Sequence, residues 1–300
     1  MSVRVGMPQG LLYYQYGWLW EEFFRQLGAD VVPSGETTRM TLDYGSSLDE
    51  ICLPAKVFFG HACALREQVD FVFAPRVVSV KKGQYTCPKI IAMPDLLRAN
   101  AKLPTIIDSE INLLQSRRKL MEAVLAVGKT IGKSPLASIC AWGQAWLQPR
   151  RLADDLTASN RLRVAVIGHP YILHDRQVSM NIINRLRQAA IDVITPEAVS
   201  CRQASLAAQP LGKEIFWSGS HHIAGAAMAL MTGLKPVDGL IFFTCFSCGP
   251  DALIGELLCQ RARVHNIPAM VLSVDEHTAE AGFITRLEAF TDMLVRRWRR

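Results

Sequence analysis

The residues best suited to chemistry in this sequence are cysteines, of which it has eight in 300 residues. Cys245 and Cys248 form a Cys-x-x-Cys pair between the apolar run Leu240 to Phe243 and Gly249-Pro250-Asp251. The run reads as a buried strand. The residues after the pair read as a turn opening a helix, with proline near N1 and an acid in the first turn. Two sulfurs are therefore expected at the carboxyl end of a strand, beside a helix N-terminus. In an open α/β sheet ligands bind at that edge, and the partial positive charge of helix-end amides favours thiolate over thiol. The stretch reads as half of a metal or redox site.

Three cysteines share one local pattern: Cys52-Leu53-Pro54, Cys87-Pro88 and Cys248-Gly249-Pro250. A proline just after a thiolate fixes the backbone and removes a competing N–H, and bacterial ferredoxins place Cys-Pro among their cluster ligands. Cys63, Cys140, Cys201 and Cys259 lack this context and read as structural; Cys63 and Cys259 fall in helical stretches, where cysteine is usually a small core hydrophobe. Structural zinc usually shows two paired knuckles, whereas here only Cys245 and Cys248 are paired. A dithiol oxidoreductase would need that pair alone and leaves Cys52 and Cys87 unexplained. On the residues alone an iron–sulfur cluster is preferred, with dithiol, zinc and inert thiols left open.

Other chemistry is weakly marked. Gly6-Met7-Pro8 and Gly168-His169-Pro170 follow strands but lack the glycine spacing of a phosphate loop, and Gly128-Lys129-Thr130 lacks the preceding glycine of a P-loop. Adjacent His221 and His222 point apart on a helix and read as its N-terminus. Asp275, Glu276, His277 and Glu280 follow a strand and read equally well as ligand-orienting groups or as caps.

The elements that must carry these residues alternate. In the first half, strands at the N-terminus, at Asp30 to Pro33 and at Phe71 to Arg76 flank an aromatic helix, Leu11 to Leu27, whose all-round apolar character places it deep in the core or under a partner. Ser47 to Glu50 has the spacing of a capping box, Pro54 offers a competing helix start, Ile90 to Met93 reads as a strand, and 110–127 as a helix stopped by Gly128. The second half restarts at Arg163 to Gly168. It continues through helices at Gln177 to Ala190 and Ile223 to Leu234, the Cys-x-x-Cys stretch, and a strand at Ala269 to Val274. This alternation predicts two α/β domains with parallel sheets, 1–157 carrying Cys52 and Cys87 and 158–300 carrying Cys245 and Cys248.

Half of the residues are apolar and a fifth charged, enough for two cores. The net charge of +6 is partly the tail Arg296 to Arg300, which reads as a solvated helix end, so nucleic acid is not an expected partner. With no leader pattern and no membrane-spanning run, the expected location is the cytoplasm, where thiols stay reduced.

These motifs, in their order, resemble one family nearly end to end. Asp49-Glu50-Ile51-Cys52-Leu53-Pro54-Ala55-Lys56 with Gly60-His61, then Pro75-Arg76 and Tyr85-Thr86-Cys87-Pro88-Lys89, carry the first half. Gly168-His169-Pro170-Tyr171 with Asp175, Phe246 to Asp251, Asp275 to Thr278, and Gly282 with Thr285 to Glu288 carry the second. The chain is similar to the activase-related family associated with 2-hydroxyacyl-CoA dehydratases, and through it to cluster-carrying dehydratase subunits and double-cubane cluster proteins. The resemblance implies two Rossmann-like domains facing a central cleft, with a [4Fe–4S] or double-cubane cluster on Cys52, Cys87 and Cys248 and with Cys245 as an extra ligand. Lys56, His61, Arg76 and Lys89 would offset the cluster's negative charge. It further implies low-potential electron transfer fed by an ATP-hydrolysing activase-type reductase or another electron donor, with a homodimer as a further assembly. No stretch of the sequence marks a CoA or acyl pocket.

Overall fold

The computed structural model describes residues 2–114, 116–148, 161–212, 214–233 and 237–299. The chain divides into two compact units, Met1–Arg151 and Leu152–Arg300. The boundary expected at 157/158 lies outside the described residues.

The first unit opens with β1 (Arg4–Met7), α1 (Tyr13–Gln26), β2 (Asp30–Pro33), α2 (Arg39–Gly45), α3 (Leu53–Ala64), β3 (Phe71–Phe73) and β4 (Arg76–Ser79). It continues with α4 (Pro88–Ile91), α5 (Met93–Asn100), β5 (Thr105–Ile107), β6 (Glu110–Asn112), α6 (Arg118–Thr130) and α7 (Pro135–Leu147). β2, β1, β3 and β5 form a parallel sheet in that order, and β4 and β6 form a second, parallel pair. The aromatic α1 finds its cover within the unit: Trp20 lies 4.8 Å from Phe73 and 4.9 Å from Trp142 of α7, ring centre to ring centre.

The second unit contains β7 (Arg163–Ile167), α8 (Pro170–Leu173), α9 (Ile182–Gln188), β8 (Asp192–Ile194), α10 (Cys201–Ala207) and α11 (Ser218–Thr232). β9 (Gly239–Cys245), α12 (Gly249–Val264), β10 (Ala269–Val274) and α13 (Glu280–Trp298) complete it. Its parallel sheet runs β10-β9-β7-β8. β9 is buried along all seven residues, as a strand covered on both faces must be. Numbered within each four-stranded sheet, both have the strand order 2-1-3-4, a doubly wound topology whose chain direction switches between the first and third strands. The mixed α/β class with parallel sheets is as expected, and the two halves repeat one topology.

Several local expectations are corrected. Ile90 to Met93 is not a strand: Pro88 at N1 starts a helix there, and an apolar run of four residues cannot by itself distinguish the two states. The stretch 110–127 is a strand followed by a helix. Gly128 lies inside α6, where an added Cβ would sit 1.9 Å from Ser138 Oγ, so it serves the packing of α6 on α7 and does not stop the helix. The capping box belongs to Thr38 and Thr41 at the head of α2, while Ser47 turns back onto the Tyr44 carbonyl. The helix expected from Gln177 starts at Ile182, because the Asp175 carboxylate takes the amides of Gln177 and Val178 and because Met180 and Asn181 adopt positive φ.

Gly60 lets α3 touch α2: a Cβ there would lie 1.9 Å from the Thr41 carbonyl oxygen. Gly60→Ala should cost about 1–3 kcal/mol through overpacking. Chemical denaturation checks this, and an unchanged midpoint would disprove the close approach.

Candidate functional site

In the first unit both Pro-flanked cysteines head helices. Cys52 is the N-cap of α3, with Pro54 in its first turn, and follows Glu50, whose φ of 51° turns the chain sharply into the cap. Cys87 is the N-cap of α4, with Pro88 next to it. Both are partly exposed, and neither uses its sulfur as a helix-capping acceptor. Lys56, one turn into α3, is buried, and Lys89 in the first turn of α4 is partly buried. Thr86 secures the approach to Cys87: its hydroxyl donates to the Val77 carbonyl and its amide to the Val78 carbonyl. Arg76 clamps the helices that follow, donating from Nη1 to the Ile91 carbonyl (2.9 Å) and from Nη2 to Asp95 (2.7 Å). That pairing holds the Asp95 carboxyl below the usual carboxylate range.

His61 lies inside the first unit, at the join of α3 and the loop after β2. It is fully buried, with Ser34 Oγ 2.9 Å from Nδ1 and Thr37 Oγ1 2.9 Å from Nε2. Burial lowers its pKa to about 4. A neutral ring has one donor and one acceptor, and two hydroxyls satisfy either tautomer. His61 is thus uncharged at neutral pH and ties the loop after β2 onto α3. Since its folded pKa lies below the ordinary 6.5, the unfolded chain binds the proton first as pH falls. Stability that is complete above about pH 6.5 should decline by roughly 3 kcal/mol on approaching pH 4. Urea titrations across that range should show this slope, and His61→Asn should flatten it.

The second unit builds a buried polar cluster where its sheet switches direction. His169 directly follows β7 and Gly168, and Asp251 occupies the third position of α12, just beyond β9. His169 Nε2 lies 3.0 Å from Asp251 Oδ1; Asp251 is wholly buried and His169 nearly so. Thr244 donates to Asp251 Oδ2 at 3.2 Å, Ser220 reaches Oδ1 at 3.5 Å, and Tyr171 stacks on the His169 ring at 4.8 Å. Cys248, the partly exposed N-cap of α12, also hydrogen-bonds to the Asp251 carboxylate. Burial pushes the Asp251 pKa up, but the charge and hydrogen bond of His169, with the bonds from Cys248 and Thr244, outweigh it and hold the carboxyl below its ordinary range. Cys245, at the end of β9, is buried, and Ser247 between the two cysteines takes a φ of 65°.

Asp275 is a cap. Its carboxylate accepts the His277 amide (2.9 Å) and the Thr278 hydroxyl (2.8 Å), and Glu280 pairs with Arg185.

The eight cysteines, all among the described residues, form no disulfide. Cys52 and Cys87 share the first unit, with Lys56, His61, Arg76 and Lys89; Cys245 and Cys248 share the second. Among the described residues, no group of three or more His, Cys, Asp and Glu side chains is assembled as a metal site. The His169–Asp251 pair was not read from the sequence as a unit, although both residues follow strands that a parallel sheet can place side by side.

Among the described residues no helix is long and apolar enough to cross a membrane. No curated protein matches the chain. A family model described as a CoA enzyme activase uncharacterised domain matches residues 4–199, about two-thirds of the sequence, which includes Cys52, Cys87 and His169 and ends before Cys245 and Cys248. With β1 through β8 inside that match, the chain belongs to the CoA enzyme activase uncharacterised domain family.

Proposed function

We propose that this chain binds an iron–sulfur cluster through Cys52, Cys87 and Cys248 and acts in low-potential electron transfer or reductive chemistry of the 2-hydroxyacyl-CoA dehydratase type. The observation that carries the reading is that these three cysteines, 35 and 161 positions apart in sequence, are each a partly exposed helix N-cap with proline in the first turn. Such positions suit a thiolate ligand. The first-turn amides have no partner within the helix, the dipole end favours negative charge, and proline removes one N–H and fixes the turn. A cluster held there would supply one-electron transfer at low potential.

The chain's own residues would keep the ligands in place. Thr86 and Arg76 fix the strand and helices around Cys87, His61 ties α3 to the preceding loop, and the bonds of Asp251 to His169 and Thr244 fix the first turn of α12, which Cys248 caps. Lys56, Lys89 and Arg76 would contribute positive charge near the thiolates. Cys245, buried at the end of β9, would be an extra ligand. Electrons would come from an ATP-hydrolysing activase-type partner.

The test is iron and acid-labile sulfide per chain, with the absorption spectrum, on protein purified without oxygen. About four or more irons with matching sulfide are expected. Zinc alone, or no metal after anaerobic reconstitution, would overturn the reading.

A further inference from the structure

The carboxyl edge of the first unit's sheet carries a cavity of about 1070 Å³. That is the upper end of the size of small-molecule sites, roughly 300–1,000 Å³. Its floor lies where β1 and β3 end, at Met7-Pro8 and Phe73-Ala74-Pro75, which is where the order β2-β1-β3-β5 switches direction. The wall is aromatic: Trp18 and Trp20 of α1 and Trp142 and Trp146 of α7 contribute four of the chain's six tryptophans.

The charges on this lining have one sign. Among its described residues the formal charges are Lys81, Lys82 and Arg117, and no Asp or Glu is present. All three cations are solvent-exposed, the lysines in the turn after β4 and Arg117 at the N-cap of α6. A largely apolar cavity with cations confined to exposed positions matches an amphiphile with a long apolar tail and an anionic head. A small hydrophilic anion would leave the aromatic wall unused, and a cationic amphiphile would meet three like charges.

We propose that this cavity binds a long-chain carboxylate, with its tail against the four tryptophans and its head at Lys81, Lys82 and Arg117. The site is independent of the cysteine chemistry, and it can fail or hold whatever the iron content proves to be.

Laurate binding to the full chain, below the micelle concentration, tests it by calorimetry and tryptophan emission. One saturable site is expected. Each methylene removed should weaken it about fourfold, so that decanoate binds roughly fifteenfold more weakly than laurate. Dodecyltrimethylammonium, with the same tail and the opposite head, should bind at least about tenfold more weakly than laurate, and the Lys81→Glu/Lys82→Glu/Arg117→Glu variant should reverse that preference. Because these side chains are exposed, the variant should fold, which circular dichroism would verify. Absence of saturable laurate binding, equal affinity for the two amphiphiles, or a preference unmoved by charge reversal would each overturn the proposal.

Discussion

Cys87→Ser should strip the iron from protein purified without oxygen, from about four atoms per chain to less than one, while leaving the fold intact. The expected size follows from ligand chemistry: thiolate is the soft donor that iron–sulfur clusters require, and a serine hydroxyl stays protonated and hard. The position makes the experiment clean. Cys87 heads α4 without providing a side-chain capping bond, and serine is among the preferred N-cap residues, so the helix should be held as well or better by the substitution. Lost iron could then not be ascribed to a lost helix. The same logic applies to Cys52→Ser at α3 and Cys248→Ser at α12. Cys63→Ser is the matched control: it is a buried helix thiol, its pKa raised by burial, and should keep its iron. Full iron retention in Cys87→Ser would remove that residue from the ligand set.

Those three positions were legible because the signal is local. The structure puts the cysteine at a helix cap in all three places, but only at Cys248 does the sequence read as a helix start: Pro54 offers a competing start, and the apolar run after Cys87-Pro88 reads as a strand. Strands whose apolar runs are bounded by turn residues were equally legible: β2 and β10 fall at Asp30–Pro33 and Ala269–Val274 as read from sequence. β5 and β6, three residues each, lack the aromatic run that marked β3, and β6 was absorbed into an expected helix. The burial of His61 was not legible for a different reason. Burial sets its charge, and its partners are hydroxyls 24 and 27 residues away, which no local pattern reports. His169 and Asp251 are separated by 82 residues and meet only because β7 and β9 are neighbours in the sheet. Such a pair is recoverable from sequence once strand order is assumed, since the residues just beyond adjacent parallel strands must share an edge.

Asp251 should be the costliest single polar residue to lose in the second unit. Its carboxylate is fully buried and serves His169, Thr244, Ser220 and Cys248, so Asp251→Ala leaves several buried donors without an acceptor. Breaking a buried charged pair from one side costs about 3–5 kcal/mol. The acid limb should change as well. The folded carboxyl titrates below its unfolded value of about 3.9, so its contribution is complete above that value and disappears as pH falls through the folded pKa. This window lies below that of His61, and the two units should therefore lose stability at different pH. Urea unfolding of wild type, Asp251→Ala, His169→Ala and the double variant isolates the pair, with a coupling of about 0.5–3 kcal/mol expected for groups in direct contact. Additive losses would show that the two residues act separately. Coupling near the upper figure, together with reduced iron in Asp251→Ala, would make the carboxylate the link between the stability of this sheet edge and the placement of Cys248.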